Sequence, residues 1–197
     1  MRELSSRPHH SLIGVAEDLA DTTERRGGGS MRRTTRILLA AGVTAAAMAT
    51  AAAPAGAEER VCRGTIGAAT VDNLRVPEGA TCTLRRTRVE GTITVQGDAR
   101  LIARRAHVIG NVQAEGHRAV ALFRSRIGGS VQLVQGGTAN VRLTRIAGDL
   151  QSFENDRART FRGNRIDGNL QCKENSRRPV GGGNLVGGNR EDQCARL

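Results

Sequence analysis

Eleven arginines, Arg85, Arg86, Arg88, Arg104, Arg105, Arg124, Arg126, Arg142, Arg145, Arg162 and Arg165, fall into three columns just ahead of a recurring glycine motif; His107 takes one rung of a column. No acidic residue interrupts these columns. Guanidinium groups grip phosphate and carboxylate through a planar fork of donors, so a stack of them points to polyanion binding. A teichoic-type phosphate polymer, an acidic polysaccharide or extracellular DNA would suit such a ridge, with affinity falling steeply in salt. The plainer reading is that the arginines solubilise an exposed face. Codon usage could inflate their number, since Lys173 is the one lysine and Ala and Gly abound, as in a GC-rich genome.

Cysteine is the second reactive type. Cys62, Cys82, Cys172 and Cys194 are even in number and too far apart for the close pairs that zinc wants, so two disulfides are expected and no metal. Catalysis is not expected. After residue 57 the histidines are His107 and His117, and His107 merely replaces an arginine in its column. No Ser/His/Asp set, paired-carboxylate frame or phosphate loop stands out, and no cofactor is called for. Trp and Tyr are absent, which removes the usual stacking platforms for bases and sugars.

The elements that must position these residues follow from a repeat. RIGGSVQ (126–132), RIAGDLQ (145–151) and RIDGNLQ (165–171) say nearly the same thing three times. Aligned on the motif glycine, the series runs Gly91, Gly110, Gly129, Gly148, Gly168 and Gly188, with Asp72 in the place one repeat earlier. Two positions before it stand Val89, Val108, Ile127, Ile146, Ile166 and Val186. Two positions after it stand Leu74, Ile93, Val112, Val131, Leu150 and Leu170, until Arg190 breaks the column. A unit this small cannot bury a face alone and must stack on its neighbours. Short segments such as TITV, SVQL and NLQC alternate apolar and polar residues with period two, which makes the stacked elements strands.

The expected fold is therefore all-β, a single-domain parallel β-helix of about seven three-sided coils with a 19–20 residue period, taken as right-handed. Stacked about 4.8 Å apart, seven coils make a prism roughly 30 Å long. A second turn column, Gly79, Gly97, Gly116, Gly136 or Gly137, Asn155 and Asn175, is expected to take positive φ at a corner. A third bend falls near the arginines. Leu84, Leu101, Val120, Leu122, Val141 and Phe161 should point inward, with small Thr87, Ala106, Ser125 and Thr144 filling the narrow angle. Glu78, Asp98, Glu115, Glu154, Asp156 and Glu174 gather at the second corner.

The period also selects the disulfides. Cys62 and Cys82 are 20 apart and Cys172 and Cys194 are 22 apart, about one coil each, so 62–82 and 172–194 are the expected pairs. Asp192 rather than Cys194 lies under Cys172, which calls for a bent terminal coil. Asn73, Thr92, Asn111, Ser130, Asp149, Asn169 and Asn189 follow the glycine position and should bond corner backbone or form a ladder between rungs. Asp149 is their one carboxylate, too few for calcium.

Upstream, residues 31–57 have the three parts of a secretory signal peptide: a start carrying Arg32, Arg33 and Arg36, an apolar stretch, and Ala55-Gly56-Ala57 at the cleavage point. Cleavage after Ala57 would leave one parallel β-helix domain at 58–197. Residues 1–30 read as a disordered or mis-annotated upstream extension, with translation expected to start at Met31. Seven of the 30 basic and five of the 19 acidic residues precede Glu58, leaving 23 against 14 and a formal charge of +9. The protein is expected to be secreted, extracellular and without a stable membrane anchor.

The run from RIDGNLQCKEN to GGGNLVGGNREDQCARL resembles small exported β-solenoid proteins of high-GC Gram-positive bacteria with no assigned function. More loosely, the V-x-G-x-V rungs resemble bactofilins, polymer-forming β-helix proteins that lack this exported, cysteine-stapled form. The signal peptide and the arginine ridge point to an envelope or extracellular scaffold or binding module, and the first likeness transfers no catalytic residue. The second implies end-to-end assembly. The expected partners are anionic cell-wall or extracellular polymers, and the expected state is a monomer or a weak end-to-end associate.

Overall fold

The computed structural model describes residues 58–197; the segments expected to be an upstream extension (1–30) and a signal peptide (31–57) lie outside the described residues. Every regular element described is a strand, and the strands form three parallel sheets. Sheet I has eight strands: Glu59–Val61, Asn73–Val76, Ile93–Val95, Val112–Glu115, Val131–Val134, Leu150–Phe153, Leu170–Lys173 and Arg190–Asp192. Sheet II has seven: Thr65–Ile66, Thr81–Arg85, Arg100–Arg104, Ala119–Phe123, Thr138–Arg142, Arg159–Arg162 and Val180–Gly182. Sheet III, also of seven, is made of two-residue strands: Thr70–Val71, Arg88–Val89, His107–Val108, Arg126–Ile127, Arg145–Ile146, Arg165–Ile166 and Leu185–Val186. Each coil visits the sheets in turn, so the backbone climbs as a three-sided solenoid of about seven turns.

Register follows the repeat. Val89, Val108, Ile127, Ile146, Ile166 and Val186 are successive partners along sheet III. Period-two alternation then sorts the side chains. In Val131–Val134 the first and third residues are buried while Gln132 and Val134 are half-exposed. The core is a narrow column built from these inward residues: Leu74, Ile93, Val112, Val131, Leu150 and Leu170 from sheet I, and Leu84, Leu122, Val141 and Phe161 from sheet II, all inaccessible to solvent. Each such aliphatic side chain contributes about 1.5–3 kcal/mol on burial. Arg159 is the exception among inward positions. It partners Ala139 in sheet II and is 1% exposed, its Nη1 donating to the Asn155 carbonyl at 2.8 Å and its Nη2 to that of Arg177.

The corners depart from expectation in one respect. Between sheets I and II the left-handed residues are Gly79, Asp98, Gly116, Gln135, Glu154 and Glu174. Gly97, Gly136, Gly137, Asn155 and Asn175 do not have positive φ. What sets the conformation is the ladder rather than the residue type: the N–H groups of Asp98, Gly116, Gln135 and Glu154 donate to carbonyls of the next coil at 2.8–3.0 Å. A non-glycine residue there costs roughly 1–2 kcal/mol, which the rungs above and below offset. The same device bends the chain between sheets II and III, at Arg86, Arg105, Arg124, Leu143, Gly163 and Gly183.

The residue after each left-handed position points inside. At the second of these corners Thr87, Ala106, Ser125, Thr144, Asn164 and Asn184 are buried, and the Asn164 Oδ1 accepts the Thr144 N–H at 3.0 Å. At the first, Asn155 and Asn175 are buried rather than exposed turn residues. Asn155 Oδ1 accepts from the Gly136 N–H and Asn175 Oδ1 from the Asn155 N–H, at 2.9 and 3.1 Å. Gly136 itself is small because the His117 ring, 1% exposed, occupies the space a Cβ would need.

The third corner, between sheets III and I, carries the motif glycine and the expected polar ladder. Each side-chain oxygen of Asn73, Thr92, Asn111, Ser130, Asp149 and Asn169 accepts the backbone N–H of its successor in the column, at 2.6–3.3 Å. The motif glycines are not left-handed; they leave room for those oxygens. A Cβ on Gly110 would meet Thr92 Oγ1 at 2.8 Å and the Gly91 carbonyl at 2.7 Å.

Disulfides close at both ends, Cys62–Cys82 and Cys172–Cys194, with Cα separations of 5.5 and 5.3 Å. Cys172 partners Asp192 in the sheet, so the chain turns back over residues 193–196 to bring Cys194 to it. Among the described residues no cysteine is free, and no helix is long and apolar enough to cross a membrane.

Candidate functional site

All eleven arginines of the three columns come together at the corner between sheets II and III, and all are exposed. Arg85, Arg104, Arg142 and Arg162 end strands of sheet II, with Phe123 in register between Arg104 and Arg142. Arg86, Arg105 and Arg124 are the left-handed residues of the corner itself. Arg88, Arg126, Arg145 and Arg165 open strands of sheet III, where His107 stands between Arg88 and Arg126. Neighbouring coils set the backbones of successive residues in each column about 4.8 Å apart.

Their charge is divided in a way the columns alone do not reveal. Arg88 pairs with Glu90 at 3.3 Å, and Asp167 holds both Arg145 at 3.1 Å and Arg165 at 3.2 Å. Desolvation is the largest single influence and pushes the Asp167 carboxyl up, but the hydrogen bonds and charges of Arg145 and then Arg165 together outweigh it, so its pKa lies below the ordinary carboxylate value. The signal was present in sequence: residues i and i+2 of a strand share a face, and R-V-E and R-I-D put an acid beside Arg88 and Arg165. The sheet III side of the corner is therefore partly neutralised. Among the described residues Arg85, Arg86, Arg104, Arg105, Arg124, Arg126, Arg142 and Arg162 have no ion-pair partner.

His107 adds no charge near neutrality. Burial lowers its pKa first, and the Arg88 and Arg126 guanidiniums lower it further; its Nδ1 lies 3.2 Å from Arg88 Nη1, a neutral acceptor within a cationic stack. His117 lies at the other corner of sheet II, so the two histidines share no site. Neither of its ring nitrogens has a hydrogen-bond partner.

Toward sheet II the unpaired arginines border an open groove of about 800 Å³. Arg85, Arg86, Arg104, Arg105 and Arg142 line it, the apolar floor includes Ile102, Ala121 and Phe123, and no carboxylate takes part. No strand of sheet II contains an acidic residue. The Arg124 guanidinium lies 5.1 Å from the centre of the Phe123 ring, a cation–π distance. This groove was not foreseen, because it depends on which outward residues of sheet II are small and apolar.

The outer face of sheet I carries a different ladder, in which Gln113, Gln132, Gln151 and Gln171 are in register. Gln151 Nε2 donates to Gln171 Oε1 at 2.9 Å and Gln171 Nε2 to Glu191 Oε2 at 2.8 Å, so these amides bond one another between coils. The recurring V-Q and L-Q pairs were its sequence signal. Among the described residues no three His, Cys, Asp or Glu side chains converge as a metal site. Comparison with family models, curated proteins and solved structures finds no match.

Proposed function

We propose that the protein is a secreted, non-enzymatic β-solenoid that binds anionic polymers of the cell envelope or extracellular space along its sheet II/III corner. The observation that carries this reading is the set of eight exposed arginines without carboxylate partners, stacked at coil spacing. Like charges at that spacing repel, and a linear polyanion lying along the corner would neutralise them. Two cystines suit an oxidising compartment outside the cell.

The test is retention on isolated bacterial envelopes. Eight phosphate contacts predict a loss of about 10³-fold or more in affinity between about 50 and 200 mM salt. Retention that changes less than about tenfold over that range would refute electrostatic capture.

A self-assembling structural protein is the second reading. Val180 and Leu185, 59% and 64% exposed on the last coil, are apolar residues beside open strand edges. Against it, Leu197 packs on the core and Arg190 stands in the final rung of the apolar column, its Nη2 bonded to the Asn184 carbonyl at 2.7 Å. Size-exclusion chromatography separates the two: an elution volume that shifts with protein concentration favours assembly.

A further inference from the structure

We infer that the outer face of sheet I is a docking surface for a second copy of this chain, which pairs with it about a two-fold axis to give a closed dimer. Two columns of side chains face outward there. One is the glutamine ladder. In the other, Glu115, Val134, Phe153 and Lys173 are direct partners on successive coils. Glu115 and Lys173 are exposed, and Val134 and Phe153 between them are half-exposed. The order along the face is therefore acid, apolar, apolar, base.

That order is its own complement when reversed. A two-fold axis parallel to the strands turns one copy's face onto the other's and inverts the sequence of coils, while each column stays opposite itself. With the axis between the coils of Val134 and Phe153, Glu115 meets Lys173 of the second copy and Val134 meets its Phe153. The glutamines answer in the same way, Gln113 to Gln171 and Gln132 to Gln151, and a primary amide both donates and accepts, so it can bond its like. Moving the axis by half a coil or a whole coil either way sets Glu115 or Lys173 against Val134 or Phe153. Sheet II has no such option: its strands contain no acidic residue, so two copies of that face would repel.

Both charges are free to take part. Among the described residues Glu115 has no ion-pair partner, and Lys173 has Glu174 alone, at 3.5 Å. The side chains of that pair are 64% and 62% exposed, and such a surface pair contributes little, so Lys173 can exchange it. In this register the coils from Thr94 to Glu191 overlap, a footprint of about 29 by 13 Å. That is roughly half of what each partner gives to a standard interface, which makes the dimer weak and concentration-dependent. The corner between sheets II and III lies opposite sheet I, so pairing leaves both arginine ridges open to solvent, and the dimer does not depend on the polyanion reading.

Lys173 is the one lysine, which makes zero-length carbodiimide coupling a position-specific probe. Within one chain Glu115 and Lys173 stand three coils apart, about 14 Å, too far for a direct amide, so a link between them reports contact between copies. Coupling an equal mixture of unlabelled and heavy-isotope-labelled protein, disulfides intact, should yield a covalent dimer whose peptide map contains the Glu115–Lys173 link in mixed-isotope form. End-to-end association also shifts an elution volume but keeps these two residues apart, so the position of the link decides between them. A dimer linked only through other carboxylates, or no link at about 1 mM protein, would overturn the inference.

Exchanging the two charges supplies an independent reading by sedimentation equilibrium. Lys173→Glu alone and Glu115→Lys alone set like charges face to face, and each should weaken dimerisation by about tenfold or more. The double exchange restores opposite charges in the same register and should bring the dissociation constant back to within about threefold of the unsubstituted protein. Both positions are exposed, so the core is untouched, and melting curves check that the fold is kept. Single exchanges that leave dimerisation unchanged, or a double exchange that fails to restore it, would refute the pairing of Glu115 with Lys173.

Discussion

Alanine at Gly91 tests why the motif contains glycine at all. Gly91 is not in the left-handed region, so its backbone admits alanine, and at such a position Gly→Ala ordinarily stabilises by about 0.4–1 kcal/mol. Here the three atoms nearest an added Cβ all belong to the Asn73 side chain, whose Oδ1 accepts the Thr92 N–H at 3.0 Å. Gly91→Ala must therefore displace the Asn73 amide and strip Thr92 of its acceptor. Crowding costs about 1–3 kcal/mol and the orphaned amide about 1–3 kcal/mol, so a net loss of about 2–4 kcal/mol is expected. Asn73→Ala alone should cost about 1–3 kcal/mol, because it orphans the same Thr92 N–H without a clash. In the Asn73→Ala background the sign should reverse, with Gly91→Ala raising stability by about 0.4–1 kcal/mol. Urea denaturation of the four proteins, disulfides intact, gives the cycle directly. Additive effects, or a stabilising Gly91→Ala in the unsubstituted chain, would refute the steric account of the motif glycine.

Two further perturbations probe the fold. Burial holds the pKa of His117 below its ordinary value, the nearby Ala114 backbone and then the Asp156 charge opposing only in part, so the native state keeps the ring neutral while the unfolded chain takes a proton below about pH 6.5. Stability should therefore fall as pH drops below about 6.5, by at most about 1.4 kcal/mol per pH unit, and His117→Gln should lose that component in a series of melting curves. Removing the terminal disulfide by Cys172→Ala with Cys194→Ala opens a loop worth about 3 kcal/mol. Amide exchange should then quicken in Val180–Asp192 and stay unchanged at Val112–Val134, because a solenoid frays coil by coil; uniform loss of protection would argue for a single cooperative unit.

How much of this was legible in the sequence depended on whether a residue's neighbours were a fixed period away. The coils, the inward columns and both cystine pairs needed only the 19–20 residue spacing, since Val108, Ile127 and Ile146 had to be stacked for the pattern to make sense. The polar ladder was legible for the same reason. Left-handed corners were legible at Gly79 and Gly116 but not elsewhere, because backbone ladders impose them on Gln135, Glu154 and Arg105, residues with no preference for positive φ. Buried Asn155 and Asn175 were mistaken for turn tips one position too late. Arg145–Asp167 escaped notice because it crosses from one coil to the next column over, 22 residues on. Arg159 in the core contradicts the alternation outright, its charge answered by two carbonyls.

Each cystine clasps a terminal coil, and among the described residues no disulfide cross-links the coils between them. Chain length is thereby uncoupled from closure. Duplicating or deleting one complete turn in the middle would move the two clasps farther or nearer by a single step, while the bends and the ends kept their local partners. The cationic corner behaves as a ruler whose reach a gene can change in whole increments, provided the cut avoids coil-to-coil fits such as that of the His117 ring against Gly136.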